Sequence, residues 1–97
     1  MRKKISLLII GSEDKHLIEN FYKKAISVGG SLTCYNKLTT FYENQNQPGK
    51  AIANLEMTLK KHPHNLLNYQ IGKLAALNNM ELDKGEQKLF IYLQNYS

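Results

Sequence analysis

The chain has 97 residues, which is the size of one domain, and 42% of them are hydrophobic, as in globular proteins. Its one cysteine, Cys34, excludes an internal disulfide. The formal net charge is +5, but Arg2, Lys3 and Lys4 supply three of these charges, which leaves +2 for the rest. Nucleic-acid-binding proteins gather basic residues on one face with interleaved aromatic residues. Here the later lysines come as scattered pairs, so no nucleic-acid partner is predicted.

The N-terminal segment MRKKISLLII has a basic start followed by an apolar run from Ile5 to Ile10. It resembles a secretory signal, but the run is shorter than the usual length of about 7 to 15 residues, and no small-x-small cleavage site follows. It is also too short to span a bilayer. We therefore expect a packed element, either a short helix or a β-strand, and slightly favour a cytoplasmic location over a secreted or periplasmic one.

The first predicted helix begins near Ser12 and ends at Gly29-Gly30, because serine caps helices and glycine accepts the left-handed conformation after a last turn. The second helix, Leu32–Asn44, has Ser31 as its cap. The third, Pro48–Lys61, starts with a proline that needs no N–H partner and stops before Pro63. The residues predicted to be buried recur at three- and four-residue spacing: Leu17, Ile18, Phe21, Tyr22, Ala25, Val28, then Leu32, Tyr35, Leu38, Thr39, Tyr42, then Ala51, Ile52, Leu55 and Leu59.

The fourth helix, Leu66–Asn78, is predicted to be capped by Asn65. Its expected buried side is Leu67, Ile71, Leu74, Ala75 and Leu77. The fifth helix, Asp83–Gln94, starts with Asp83 and Glu86 at the spacing of a capping box. The sequence thus predicts an all-α fold.

Between Leu32 and Asn65, eight positions carry aromatic, apolar or small side chains or a proline at characteristic spacings: Tyr35, Leu38, Thr39, Tyr42, Ala51, Leu55, Thr58 and Pro63. This segment resembles one tetratricopeptide repeat, a helix pair of about 34 residues with the pattern W-x2-L-G-x2-Y…A-x3-F…P. Thr39 replaces the glycine of that pattern. Small residues let two antiparallel helices approach closely, so Ala51 is expected to pack between Leu38 and Tyr42, where a bulkier side chain would overpack the contact.

A second, looser copy follows, with Ile71-Gly72 at the Leu-Gly place, Gly85 at the alanine place and Leu89 at the phenylalanine place. Upstream, HLIENFYKKA resembles only the second helix of a repeat. The expected organisation is a single domain over residues 1–97, a short α-solenoid of antiparallel helix-turn-helix repeats: an N-terminal element and helix at 1–30, repeat one at 32–65 and repeat two at 66–95. The alternative is a generic helical bundle.

The resemblance implies a non-catalytic module that binds a peptide or protein segment in the concave groove lined by each repeat's first helix. The groove residues expected on this basis are Asn36, Thr40, Glu43, Tyr69 and Lys73. Asn36 would bond a peptide backbone, Tyr69 would stack and Lys73 would pair with a carboxylate. The carboxylate clamp of chaperone-tail binders is not reproduced, and the alternative is ordinary polar surface.

Little in the sequence indicates catalysis or a cofactor. The two histidines of the HPH stretch around Pro63 lie in a predicted turn, and His16 is the one further candidate ligand for a metal ion. Surface histidines are therefore favoured over a metal site. Cys34 has no histidine close to it in sequence, so an inert, partly buried thiol is favoured. We predict no enzyme activity, no cofactor and no metal.

The last helix carries more apolar residues than one stripe can bury, because Leu89, Tyr92 and Tyr96 can face a partner helix while Phe90, Ile91 and Leu93 cannot all do so. Exposed apolar patches are rare in monomers. We therefore expect self-association, as a homodimer, through Phe90, Ile91 and Leu93.

A further alternative rests on another similarity. The segment from Ile71 to Leu93 is similar to repeat segments appended to bacterial secreted hydrolases, where they assist an enzyme domain.

Overall fold

The computed structural model describes residues 12–95, and within that range the chain is helical with no strand. The five helices are α1 (Ser12–Ser27), α2 (Leu32–Asn44), α3 (Pro48–Lys61), α4 (Asn65–Leu77) and α5 (Leu82–Gln94). The predicted fold class is confirmed: the helices form antiparallel helix-turn-helix units, in an arrangement consistent with a short helical repeat array. The predicted bounds of α2 and α3 match the structure. The predicted N-terminal element lies outside the described residues.

Each described helix packs against its neighbours in sequence, as expected of a short row of helices. One apolar cluster lies between α3 and α4 and contains Ile52, Leu55, Leu67, Ile71 and Ala75. A second joins Leu38 and Tyr42 of α2 to Ala51 of α3, and Tyr22 and Ile26 of α1 pack against it. Leu74 of α4 packs against both clusters, so the apolar core runs from α1 to α4.

Small residues set the close approach of the paired helices. Ala51 is 0% exposed and contacts Leu38 and Tyr42, as predicted. At the α4–α5 crossing, a Cβ added to Gly85 would lie only 2.8 Å from the Cβ of Ala75. Two backbones can approach this closely only where side chains are nearly absent.

A buried polar network fixes α3 against α2. The Nδ2 group of Asn54 donates to the carbonyl oxygen of Tyr35 at 2.9 Å and to Oγ1 of Thr39 at 2.8 Å. The hydroxyl of Thr58 donates to the carbonyl oxygen of Asn54 at 2.7 Å. Since Asn54 is 5% exposed, these bonds offset the cost of burying its amide.

Two predicted caps are wrong. The fourth helix is capped by His64, whose Nδ1 accepts the N–H of Leu66 at 3.1 Å, while the Asn65 amide donates to the carbonyl oxygen of Tyr92 at 3.0 Å. Asn65 is thus used for a contact between helices. The predicted Asp83–Glu86 box is absent because α5 already begins at Leu82, which places Asp83 inside the first turn. The Ser31 cap is confirmed by its bond to the N–H of Cys34.

The predicted buried side of α1 is wrong in half of its members. Leu17, Phe21 and Val28 are exposed by 69%, 67% and 76%, because α1 turns another side toward α2 and no described helix covers this one. The side facing α2 includes Ile26 and Glu19, which the sequence prediction missed. Leu77, also predicted to be buried, is 72% exposed at the end of α4. Leu32, predicted on the stripe of α2, is 41% exposed at the first position of that helix.

Candidate functional site

A groove of about 380 Å3 lies between α2 and α4, the first helices of the two helix pairs. Because α3 connects these helices, its Leu55 forms part of the groove floor. We call this the inner groove. Its lining residues are Asn36, Thr39, Thr40 and Glu43 from α2, Leu55 from α3, and Gln70, Lys73, Leu74 and Leu77 from α4.

Four of the five residues expected in a groove line this one, namely Asn36, Thr40, Glu43 and Lys73. The fifth, Tyr69, does not. Its ring lies 5.3 Å from that of Tyr92 on α5, and the Lys73 ammonium lies 5.9 Å from the Tyr69 ring. Gln70 was missed, although it stands three residues before Lys73 and so lies on the same face of α4.

The inner groove presents polar groups above an apolar floor. The Asn36 and Gln70 amides can each donate and accept hydrogen bonds, as a peptide backbone requires. Lys73 brings a cation and Glu43 an anion to the same groove. Thr39 is held in place by the bond from Asn54. This combination suits an extended segment with charged side chains.

Glu19 of α1 carries a buried carboxylate that lies outside the inner groove and that the sequence did not predict. Oε2 of Glu19 accepts the hydroxyl of Tyr42 at 2.7 Å and lies 3.2 Å from Nζ of Lys23 and 3.7 Å from Nζ of Lys50. The hydrogen bond from Tyr42, followed by the two lysines, holds the pKa of Glu19 below its ordinary value, although burial opposes the shift. Burial and the Glu19 carboxylate raise the pKa of Tyr42.

Two of the three histidines, His62 and His64, make structural contacts. His62 lies with a ring nitrogen 3.4 Å from the Gly30 carbonyl oxygen and with its ring edge-on to Tyr35, while His64 caps α4. His16 is exposed and Cys34 is half-buried. Within residues 12–95, no group of three or more histidine, cysteine, aspartate or glutamate side chains is arranged to hold a metal ion.

The residues predicted for self-association all lie on the surface of α5. Phe90, Leu93 and Ile91 are exposed by 61%, 65% and 37%. Leu89 and Tyr92 are half-buried, on the side of α5 that meets α4. Tyr96 lies outside the described residues.

None of the helices in the described part of the chain has the combined length and apolar character needed to cross a membrane. In comparisons with known proteins, no family model, curated protein or solved structure matches this chain.

Proposed function

We propose that the chain is a non-catalytic interaction module, built from tetratricopeptide-like repeats, that binds a peptide or protein segment in the inner groove. The observation that carries this proposal is the convergence of Asn36, Thr40, Glu43 and Lys73 on one groove. The resemblance selected those positions because they lie off the core stripe of the first helices. Their meeting above an apolar floor supports the proposal.

In this proposal, the Asn36 and Gln70 amides bind the backbone of an extended segment, and Lys73 pairs with a carboxylate on it. Leu74 and Leu77 offer apolar contact beside these groups. Such grooves bind through a few well-placed polar groups and a larger apolar area. Tyr69 contributes indirectly, by holding the Lys73 ammonium near its ring.

Selection from a displayed library of random peptides tests this proposal. Peptides enriched on the parent protein should lose binding to Lys73→Ala and to Asn36→Ala. Lys37→Ala is the matched control, because Lys37 is an exposed lysine on α2 that does not line the inner groove. Circular dichroism should show that all three variants keep their helices. Peptides that bind the parent and all variants equally would refute the proposal, as would a selection with no enrichment.

Self-association through α5 is the second candidate. It is favoured by the exposure of Phe90 and Leu93. In the repeat alignment, Leu93 of α5 corresponds to Leu59 of α3, and Leu59 is partly buried because the next helix, α4, packs against it. The corresponding side of α5 has no described helix against it. A second copy of the chain, a homodimer partner, would cover this face of α5.

In the other alternative, the chain is an accessory repeat segment of a larger bacterial enzyme, and a further repeat covers the same face. Light scattering coupled to size exclusion separates these, since only the first gives a dimer that Phe90→Glu or Ile91→Glu breaks.

A further inference from the structure

A second groove, of about 450 Å3, lies between α1 and α3, and residues of α2 form its floor. We call it the outer groove. Its lining residues are Lys23, Ile26, Ser27, Leu38, Tyr42, Lys50, Ala53, Asn54 and Met57, none of which lines the inner groove. Its volume falls within the range of about 300 to 1,000 Å3 that is usual for ligand sites.

The outer groove is open because the exposed face of α3 carries a small residue at its centre. Ala53 is exposed and presents only a methyl group, while Met57, one turn later, is 54% exposed. The floor is formed by Leu38 and Tyr42, which are 3% and 4% exposed and belong to the core. A ligand in this groove would therefore rest on an apolar, rigid floor.

The rim of the outer groove is basic. Lys23 of α1 and Lys50 of α3 both line it, and both approach the same carboxylate, that of Glu19, at 3.2 Å and 3.7 Å. Glu19 also accepts the Tyr42 hydroxyl, so one anion is shared by two ammonium groups and a phenol. No acidic side chain is among the described lining residues. The rim thus retains positive charge that a ligand can neutralise.

We propose that the outer groove is a second binding site, which takes an acidic peptide segment through one or two apolar anchor side chains. From Lys50 to Met57 the α3 side of the groove runs for about 10 Å, which accommodates one large side chain or two that are a helical turn apart. The partner's carboxylates would then lie beside Lys23 and Lys50. Opposite charges at a rim give specificity and speed association. This site is independent of the inner groove and of its proposed ligand.

The test uses two fluorescein-labelled model peptides with leucines at i and i+4, one with glutamates and the other with lysines at the remaining positions. Fluorescence anisotropy should show the glutamate peptide binding to the protein and the lysine peptide not binding. Ala53→Leu, which fills the groove, should weaken binding by more than about tenfold. Ala76→Leu is the matched control, because Ala76 is an exposed helical alanine that does not line the outer groove. This variant should bind the glutamate peptide with the affinity of the parent protein.

Met57→Glu provides a second variant, because a charge at this exposed position leaves the core intact and repels an acidic ligand. It should weaken the glutamate peptide as strongly as Ala53→Leu does. Parental affinity in both variants would overturn the proposal, as would equal binding of the lysine peptide. If light scattering detects a dimer that Ala53→Leu breaks, the groove binds a second copy of the chain instead. If an equimolar amount of decanoate displaces the peptide, the groove binds a lipid carboxylate instead. Each of these results would overturn the peptide assignment.

Discussion

Replacing Gly85 with alanine tests whether the α4–α5 crossing depends on backbone contact. The added Cβ would lie 2.8 Å from the Cβ of Ala75 and 3.6 Å from the carbonyl oxygen of Gly72. Non-bonded carbons prefer separations of about 3.5 to 4.0 Å. A Cβ cannot rotate away, so the two helices must separate by about 1 Å.

Two opposing free energies decide the result. Alanine is favoured over glycine inside a helix by about 1 kcal/mol, whereas overpacking a core contact costs about 1 to 3 kcal/mol. The net expectation is a loss of up to about 2 kcal/mol in the free energy of unfolding. Gly49→Ala is the matched control, because a Cβ there would meet only the Met80 side chain, at an ordinary 3.6 Å. Its stability should stay equal or rise by up to about 1 kcal/mol.

Urea unfolding followed by far-ultraviolet circular dichroism measures both variants. The double variant Gly85→Ala with Ala75→Gly removes the clash, so it should show a coupling free energy of about 0.5 to 3 kcal/mol relative to the two single changes. If Gly85→Ala stabilised the protein as much as Gly49→Ala, the reasoning from close packing would be refuted.

Three further expectations concern the core, acid stability and α5. Ala51→Phe should lower the free energy of unfolding by about 1 to 3 kcal/mol, while Ala53→Phe, at an exposed position of the same helix, should change it little; equal urea midpoints would contradict the assigned packing. Glu19 has a pKa below its ordinary value of 4.5, so its ionised form stabilises the fold above about pH 4.5, and this contribution is lost as the pH falls through the folded-state pKa. Thermal melts over an acidic pH series should therefore show a smaller loss of stability for Glu19→Gln than for the parent, and parallel curves would argue against this role. If the chain forms a dimer, Phe90→Glu should yield a monomer by light scattering, because Phe90 is 61% exposed and a charge there is tolerated only in the monomer; a monomeric parent would rule out the α5 interface.

The parts of the fold that sequence could predict are those set by local chemistry. Pro48 and Pro63 mark the ends of α3, since proline suits a first helical turn and cannot continue a helix. The resemblance to a repeat pattern predicted the contact of Ala51 with Leu38 and Tyr42, and the physical reason is that a small residue faces large ones where antiparallel helices cross closely. The expected groove residues came from the resemblance to a repeat pattern, which places them beside this stripe on the first helices, and four of the five line the inner groove.

The errors fall where tertiary contacts choose between equivalent local options. Asn65 and His64 can both cap α4, and the choice depends on the Tyr92 carbonyl, which lies 27 residues away from Asn65 in the chain and takes its amide. On α1, Leu17 and Phe21 have the same helical spacing as the residues that face α2. Only the packing of α1 on α2 determines which side is buried, and it buries Glu19 because Tyr42 supplies a donor for the carboxylate.

The position of Tyr69 is a consequence of the glycines at the α4–α5 crossing. A Cβ on Gly72 would overlap the Leu89 side chain, so the absence of that atom lets α5 approach α4 at this level. Tyr92 lies one turn beyond Leu89, and Tyr69 lies one turn before Gly72 on the antiparallel helix, so the two rings come to the same level and meet at 5.3 Å. Tyr69 therefore packs against α5 and does not line the inner groove. Lys73, one turn later, remains in the groove with its ammonium near the Tyr69 ring. The approach of α5 to α4 beside Gly72 thus places Tyr69 against Tyr92, while Lys73 supplies the cation of the inner groove.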